Sequence, residues 1–176
     1  MNDSKAAATS EAFVITRTLD APRELVWKAF TQAEHLMQWF GPKGFTMPTC
    51  HLELKPGGLF HYAMRSPDGF EMWGKWIFRE IVAPERLVVI VAFSDKDAGV
   101  TRHPMAPDWP LETLSTTTFT EKGGKTTIRI EWAPHQATPA ERKAFRDGHA
   151  GMQQGWGGTF EQLEAYLAKA QGRVST

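Results

Sequence analysis

Six histidines are the residues of this chain best suited to acid–base or metal chemistry: His35, His51, His61, His103, His135 and His149. None of them follows the H-x-x-x-H or H-x-H spacing that places two metal ligands on one face of a helix or strand. His51, Glu53 and His61 fall on neighbouring predicted strands, and a solvated outer face explains them better than a metal site does. His149 lies on an apolar helical stripe, where a hydrogen-bonded place at the edge of the core is favoured over catalysis. We therefore predict no metal and no cofactor.

The sequence also lacks the motifs of a nucleophile or a phosphate site. It has no Gly-x-Ser-x-Gly elbow, and residues 123–126 (GGKT) lack the earlier glycine of a phosphate loop, so we interpret them as a hairpin turn. Residues 115–118 are all Ser or Thr. Two of these hydroxyls can point inward as polar handles, although strand propensity explains the run equally well. The single cysteine, Cys50, excludes an intrachain disulfide, and we predict no catalytic residue.

Composition limits the class of protein. The 176 residues fit one domain, with 41% hydrophobic and 23% charged residues, as in a globular chain. The 20 Lys and Arg balance the 20 Asp and Glu, and a neutral chain lacks the basic face that nucleic-acid binding needs. No apolar run reaches the ~18 residues of a membrane span. The aromatic content is unusual, with 7 Trp and 11 Phe but only 2 Tyr.

The ends of the chain differ from its middle. Residues 1–11 are polar and rich in Ala, Ser and Thr, and they lack the apolar segment of a secretory signal. We expect a disordered tail there, a single domain over residues 12–170 and a second tail over 171–176. The expected localisation is cytoplasmic, and a monomer and a homodimer both remain open.

Hydrophobic periodicity predicts a strand, two short helices, six strands and one long helix, in that order. The first strand covers residues 13–19, and Pro22 starts a helix. Thr31 and Glu34 have the spacing of a capping box, which predicts the start of the second short helix. Tight turns join most of the later strands into an antiparallel meander, with residues 95–110 as a mobile loop between two of them. These six strands fall at about residues 45–54, 58–66, 70–81, 86–94, 111–121 and 125–133.

The long helix begins at Thr138, which has the spacing of a capping box with Glu141. Apolar residues then recur every three or four positions over about 30 residues, which predicts one helix of about 45 Å. Each glycine in a helix interior costs about 1 kcal/mol relative to Ala. Either the helix bends at the glycines that interrupt this apolar stripe, or those positions need space beside the backbone. Five of them interrupt the stripe: Gly148, Gly151, Gly155, Gly157 and Gly158.

A twisted sheet crossed by one helix leaves a cavity between them, which we expect to open near the short helices and residues 95–110. Alternation along the strands gives an inward face rich in Trp and Met. These side chains can adapt to flat or hydrophobic ligands. Gly74 lies between two large inward neighbours, where the missing side chain leaves volume. Twelve residues are predicted to line the cavity: Trp39, Phe60, Tyr62, Met64, Met72, Trp76, Val89, Val91, Trp132, His149, Met152 and Trp156.

Several short motifs follow one ordered pattern: Ala21-Pro22, Val26-Trp27, Trp39-Phe40-Gly41-Pro42, Pro56-Gly57-Gly58, Gly151-Met152, Gly155-Trp156 and Tyr166-Leu167. Over about residues 13–168 this pattern resembles the bacterial homologues of the activator of the heat-shock-protein-90 ATPase, within the START-like (SRPBCC) superfamily. The resemblance implies an α+β helix-grip fold. In that fold a curved seven-stranded antiparallel sheet surrounds a long C-terminal helix, with two short helices after the first strand.

The resemblance leaves three functions open, because fold alone does not determine function. Superfamily members bind lipids, sterols, polyketides or plant hormones, which favours binding or sequestration of a small hydrophobic, aromatic ligand. The eukaryotic namesake activates a chaperone, which implies a possible chaperone partner, although this chain matches only one domain of that protein. Some members are aromatases or cyclases, so a cyclase or hydrolase using His149, Tyr62 or a strand hydroxyl is the third hypothesis.

Overall fold

The computed structural model describes residues 12–172, so the predicted tail at 1–11 and all but the first two residues of the predicted tail at 171–176 lie outside the described residues. Within the described residues, eight strands, β1 to β8, cover Phe13–Leu19, Thr46–Leu52, Leu59–Arg65, Glu71–Val82, Arg86–Ser94, Val100–Thr101, Thr113–Lys122 and Lys125–Pro134. The same residues contain four helices, α1 to α4, which cover Arg23–Thr31, Ala33–Trp39, Pro139–Asp147 and His149–Ala170. This is the α+β order predicted from the sequence.

The strands form one antiparallel sheet in the order β1-β8-β7-β5-β4-β3-β2. These are the seven predicted strands, so the helix-grip fold is confirmed. β6 is an eighth strand of two residues, which pairs with Phe93 and Ser94 at the end of β5. β6 could not be predicted from the sequence, because two residues are too few to show an alternating pattern.

The register places alternate residues of neighbouring strands on one inner face. Tyr62 on β3 lies opposite Gly74 on β4, and Gly74 lies opposite Phe93 on β5. Two residues along, Val91 lies opposite Thr113 on β7. The predicted inward sets on β3, β4 and β5 therefore share one face.

The core lies between this inner face and the helices. Phe160 and Leu163 of α4 are fully buried, as are Ile128 and Ile130 of β8. Trp27 and Phe30 of α1 meet Phe119 of β7 edge-on, with ring centroids 5.3 and 5.4 Å apart. The two short helices thus close one end of the space between sheet and α4. No helix within residues 12–172 has the length and apolar character needed to cross a membrane.

The predicted C-terminal helix is divided at Gly148 into α3 and α4. The capping box of Thr138 and Glu141 is present at the start of α3, as predicted. A Cβ placed on Gly148 would lie 2.9 Å from the Trp109 ring, closer than side-chain atoms approach. The break and the need for space therefore both occur at Gly148, and α4 alone has 22 residues, about 33 Å in length.

The predicted cap of the second short helix is wrong. Gln32 takes the N-cap position of α2 without a side-chain hydrogen bond. Thr31 instead completes α1, where its buried Oγ1 donates to the carbonyl oxygen of Trp27 at 2.7 Å. A threonine whose hydroxyl bonds back into the preceding turn cannot cap the next helix.

Candidate ligand-binding cavity

A cavity of about 500 Å³ lies between the inner face of the sheet and α4. Strands β3, β4, β5, β7 and β8 supply one wall, and α4 supplies the opposite wall. The segments after α2 and before β7 complete the lining through Phe40, Trp109 and their neighbours. Sites that hold drug-sized molecules have volumes of about 300–1,000 Å³, so this cavity is large enough for such a ligand.

Most of the predicted residues lie on the cavity wall. The alternating strands and the α4 stripe bring nine of them together: Tyr62, Met64, Met72, Trp76, Val89, Val91, Trp132, Met152 and Trp156. Trp76 and Trp156 belong to opposite walls, because one lies on β4 and the other on α4. Whether these residues touch a ligand stays a prediction.

Three predicted residues lie behind the wall, which corrects their placement. Trp39 donates from its indole Nε1 to the carbonyl oxygen of Ala29 at 2.9 Å, and this bond holds it between α1 and α2. Phe60 is fully buried beneath Tyr62, with the two rings stacked 4.7 Å apart. His149 packs against Phe13 and Phe145, with ring centroids 5.7 and 5.3 Å away. Strand and helix parity identified the inner side correctly, but not the depth at which each side chain lies.

The prediction missed five aromatic residues that line the cavity: Phe30, Phe40, Trp73, Phe93 and Trp109. Phe40, the neighbour of Trp39, meets Tyr62 and Trp76 edge-on, each at 5.4 Å. Trp109 packs 5.4 Å from Phe145, where it extends the wall beyond β8. The pair Trp39-Phe40 is visible in the sequence, but Trp109 lies at the end of the predicted loop 95–110, and a loop position carries no periodic signal.

Glycine creates the room in two places. The Tyr62 ring lies across the backbone of Gly74, where an added Cβ would be 2.6 Å from the phenol oxygen. On α4, a Cβ at Gly151 or Gly155 would meet nothing within 4 Å, and both residues line the cavity. At these two positions α4 adds no side chain to the cavity, so the space beside the helix stays open.

The wall carries no Asp, Glu, Lys or Arg among the residues that the structure describes. Its titratable groups are Tyr62 and His103. Burial raises the pKa of the Tyr62 phenol, an effect that the Trp76 indole opposes, so the phenol is neutral at physiological pH. Burial lowers the pKa of the His103 imidazole, so this ring is neutral as well. The cavity is therefore an uncharged environment.

Three hydroxyl side chains interrupt the apolar sheet wall. Thr113, Ser115 and Thr117 occupy alternate positions of β7, and all three are buried and line the cavity. Thr113 already has partners, because it accepts from the Trp132 indole at 2.5 Å and donates to the Val91 carbonyl at 3.4 Å. Two hydroxyls of the run at 115–118 thus point inward, as the sequence allowed.

One ion pair ties the segment before β7 to α3. Arg102 donates to the carboxylate of Glu141 at 2.6 Å and to the backbone oxygen of Trp109 at 3.3 Å. The backbone N–H of Thr138, first, and the Arg102 guanidinium hold the pKa of the Glu141 carboxyl below its usual value. This contact holds Trp109 in the cavity wall.

The histidines of β2 and β3 do not converge. His51 lies directly opposite His61 in the register, yet His51 contacts Glu53 at 3.1 Å while His61 donates to the backbone oxygen of Asp95 at 3.0 Å. Within residues 12–172 no group of three His, Cys, Asp or Glu side chains is arranged to hold a metal ion.

A curved antiparallel sheet, closed by a long C-terminal helix around an internal cavity, defines the helix-grip class of START-like proteins. The chain belongs to the family of Activator of Hsp90 ATPase homolog 1-like proteins, whose family model matches residues 20–168. The sequence matches none of the curated proteins with which it was compared.

Solved bacterial structures share the fold over nearly the whole chain. A protein from Nitrosomonas europaea is 27% identical with a TM-score of 0.73, and the match covers 92% of this chain and 96% of that one. A protein from Arthrobacter aurescens is 27% identical with a TM-score of 0.73, over 93% and 88% of the two chains. A protein from Mycobacterium smegmatis, at 24% identity and a TM-score of 0.74 over 91% and 92%, shows the fold alone.

Proposed function

We propose that this protein binds or sequesters a small hydrophobic, aromatic molecule inside the cavity. The observation that carries the proposal is a cavity of about 500 Å³ lined by aromatic and methionine side chains, with no charged side chain among its described residues. The family to which the chain belongs includes domains of the ligand-binding or interaction type, which agrees with this function.

The lining suits a flat ligand in particular. Trp76, Trp132 and Trp156 approach the cavity from β4, β8 and α4. Aromatic rings attract each other at centroid distances of about 4.5–7 Å, in offset-stacked or edge-on arrangements. Met64, Met72 and Met152 add flexible, polarisable side chains, which adapt to the outline of a rigid ring system.

The experiment is a titration followed by intrinsic tryptophan fluorescence. A library of aromatic polyketides, flavonoids and fatty acids is added to the protein, and a saturable change with an aromatic compound is the expected result. Tryptophans from β4, β8 and α4 line the cavity, so the fluorescence should respond when a ligand binds there. A flat response to the whole library contradicts the proposal.

The family match favours a second candidate, docking to the heat-shock protein whose ATPase the namesake activates. Eight large apolar side chains of the described residues are exposed and available for such a contact, and Phe70 (49%) and Met105 (76%) are the most exposed of them. Native mass spectrometry of protein isolated directly from its source cell separates the candidates. A retained small molecule supports the cavity function, and a co-purifying chaperone supports docking.

A further inference from the structure

Two largely buried residues of the cavity wall carry hydroxyls that face the cavity and have no hydrogen-bond partner within the described part of the protein. Ser115 is 9% exposed and Thr117 is 7% exposed, and both face the cavity from the inner side of β7. The neighbouring Thr113 shows the alternative, since its hydroxyl is bonded to Trp132 and Val91. Ser115 and Thr117 thus present the cavity with unused donors and acceptors.

Unpaired hydroxyls in an apolar wall indicate which hydrogen-bonding groups a bound ligand should carry. An occupant that covers these hydroxyls without offering them a hydrogen bond leaves each one buried and unpaired, which is costly, whereas an occupant that supplies a partner avoids this cost. The two residues are two positions apart on one strand, so their hydroxyls are about 7 Å apart along the wall. A single flat molecule lying along β7 can therefore contact both hydroxyls with oxygen atoms on one edge.

The charges around the cavity select against an anion. No cationic side chain of the described chain lines the cavity, and His103 accepts from the backbone N–H of Met105 through Nδ1 at 3.0 Å, which fixes it as a neutral ring. The first turn of α4, which is the positive end of that helix, reaches the wall at Gly151. A helix terminus carries about half an elementary charge, which is less than a desolvated carboxylate requires.

From these two observations we infer that the ligand is an uncharged aromatic molecule with a hydroxyl or carbonyl oxygen on the edge that faces β7. Ser115 and Thr117 are the residues that recognise this oxygen. The inference rests on the proposed function, because it specifies the chemistry of a ligand in the same cavity. It predicts discrimination against two other classes, bare hydrocarbons and fatty or aromatic acids.

The test uses three probes on one tricyclic frame: fluorene, 2-hydroxyfluorene and fluorene-2-carboxylate. Equilibrium dialysis measures their affinities for the wild type and for Ser115→Ala, Thr117→Val and the double variant. Thr116→Val is the matched control, because Thr116 lies on the same strand but faces the opposite side of the sheet. Circular dichroism and thermal melting confirm that each variant is folded.

The wild type should bind 2-hydroxyfluorene more tightly than fluorene. Its affinity for 2-hydroxyfluorene should also exceed its affinity for fluorene-2-carboxylate by a factor of about ten or more. Removing the hydroxyl that bonds the probe should lower the affinity for 2-hydroxyfluorene about fivefold without lowering the affinity for fluorene, while Thr116→Val changes neither affinity.

Preference of the wild type for the carboxylate, or an equal loss of affinity for both neutral probes in the variants, overturns the inference and leaves the proposed function intact. Failure of all three probes to bind contradicts the proposed function itself. If the variants do not fold, the ranking of the three probes by the wild type decides.

Discussion

At the scale of single residues, the cavity depends on one pair, Tyr62 and Gly74. The two lie opposite each other on β3 and β4, and the phenol ring occupies the space that a side chain at position 74 would take. Phe60 supports the same ring from below. The absence of a Cβ at Gly74 therefore allows the Tyr62 ring to lie flat against the sheet.

Gly74→Ala is expected to push the Tyr62 ring away from the sheet and into the cavity. Overpacking of this kind costs about 1–3 kcal/mol of unfolding free energy, and the smaller cavity should bind an aromatic probe more weakly. Urea denaturation and fluorescence titration measure the two effects. Gly158→Ala is the control, since its Cβ meets nothing within 4 Å, and it should stabilise α4 by up to about 1 kcal/mol. Equal stability of the two variants would contradict this account of Gly74.

At the scale of elements, the start of α3 holds the segment that carries Trp109. The capping box of Thr138 and Glu141 fixes the first turn of α3, and Arg102 joins that turn to the segment before β7. One carboxylate thus serves both the helix cap and the cavity wall. Losing the cap should have a larger effect than a surface ion pair, because Glu141 is buried.

Thr138→Ala is expected to lower the unfolding free energy by about 1 kcal/mol, the usual contribution of an N-cap hydroxyl. Chemical denaturation at neutral pH measures the loss. The exposed Thr120 on β7, replaced by Ala, serves as a control. A loss no greater than that of the control would show that the cap contributes nothing to stability.

The same cap predicts a dependence on pH. The folded-state pKa of Glu141 lies below the ordinary value of 4.5, first because the backbone N–H of Thr138 bonds the carboxylate and then because Arg102 does. Its stabilising effect is therefore present at neutral pH and is lost as the pH falls through the lowered pKa. The stability difference between the wild type and Glu141→Gln should shrink in that range. A difference that is constant down to pH 3 would contradict the assignment.

Elements with a clear period were predictable, and those fixed by a single tertiary contact were not. Alternation located seven strands and their inner faces, because side chains of a strand point to opposite sides in turn. The capping spacing of Thr31 was present, but its hydroxyl bonds back to Trp27 instead. The break at Gly148 was one of two readings of the same glycines, and only the contact with Trp109 shows why that position has no side chain.

At the scale of the whole molecule, the sheet and α4 do not close completely on each other. Their contact is tight near Phe160 and Leu163, which are fully buried, whereas Gly151 and Gly155 in the first half of α4 face the cavity. One end of the molecule is thus a packed core, and the other end contains the cavity. Most of the tryptophans lie at the cavity, since five of the seven line it: Trp73, Trp76, Trp109, Trp132 and Trp156.

The central claim is that a small aromatic molecule binds in the cavity. Filling the cavity with an added side chain tests this claim most directly. Gly155→Leu places a side chain into the cavity from α4, whereas Gly157→Leu adds the same side chain to the same helix at a position off the cavity wall. Fluorescence titration with an aromatic compound that binds the wild type should give no saturable response with Gly155→Leu and an unchanged response with Gly157→Leu. Equal binding by both variants would show that the ligand site lies elsewhere.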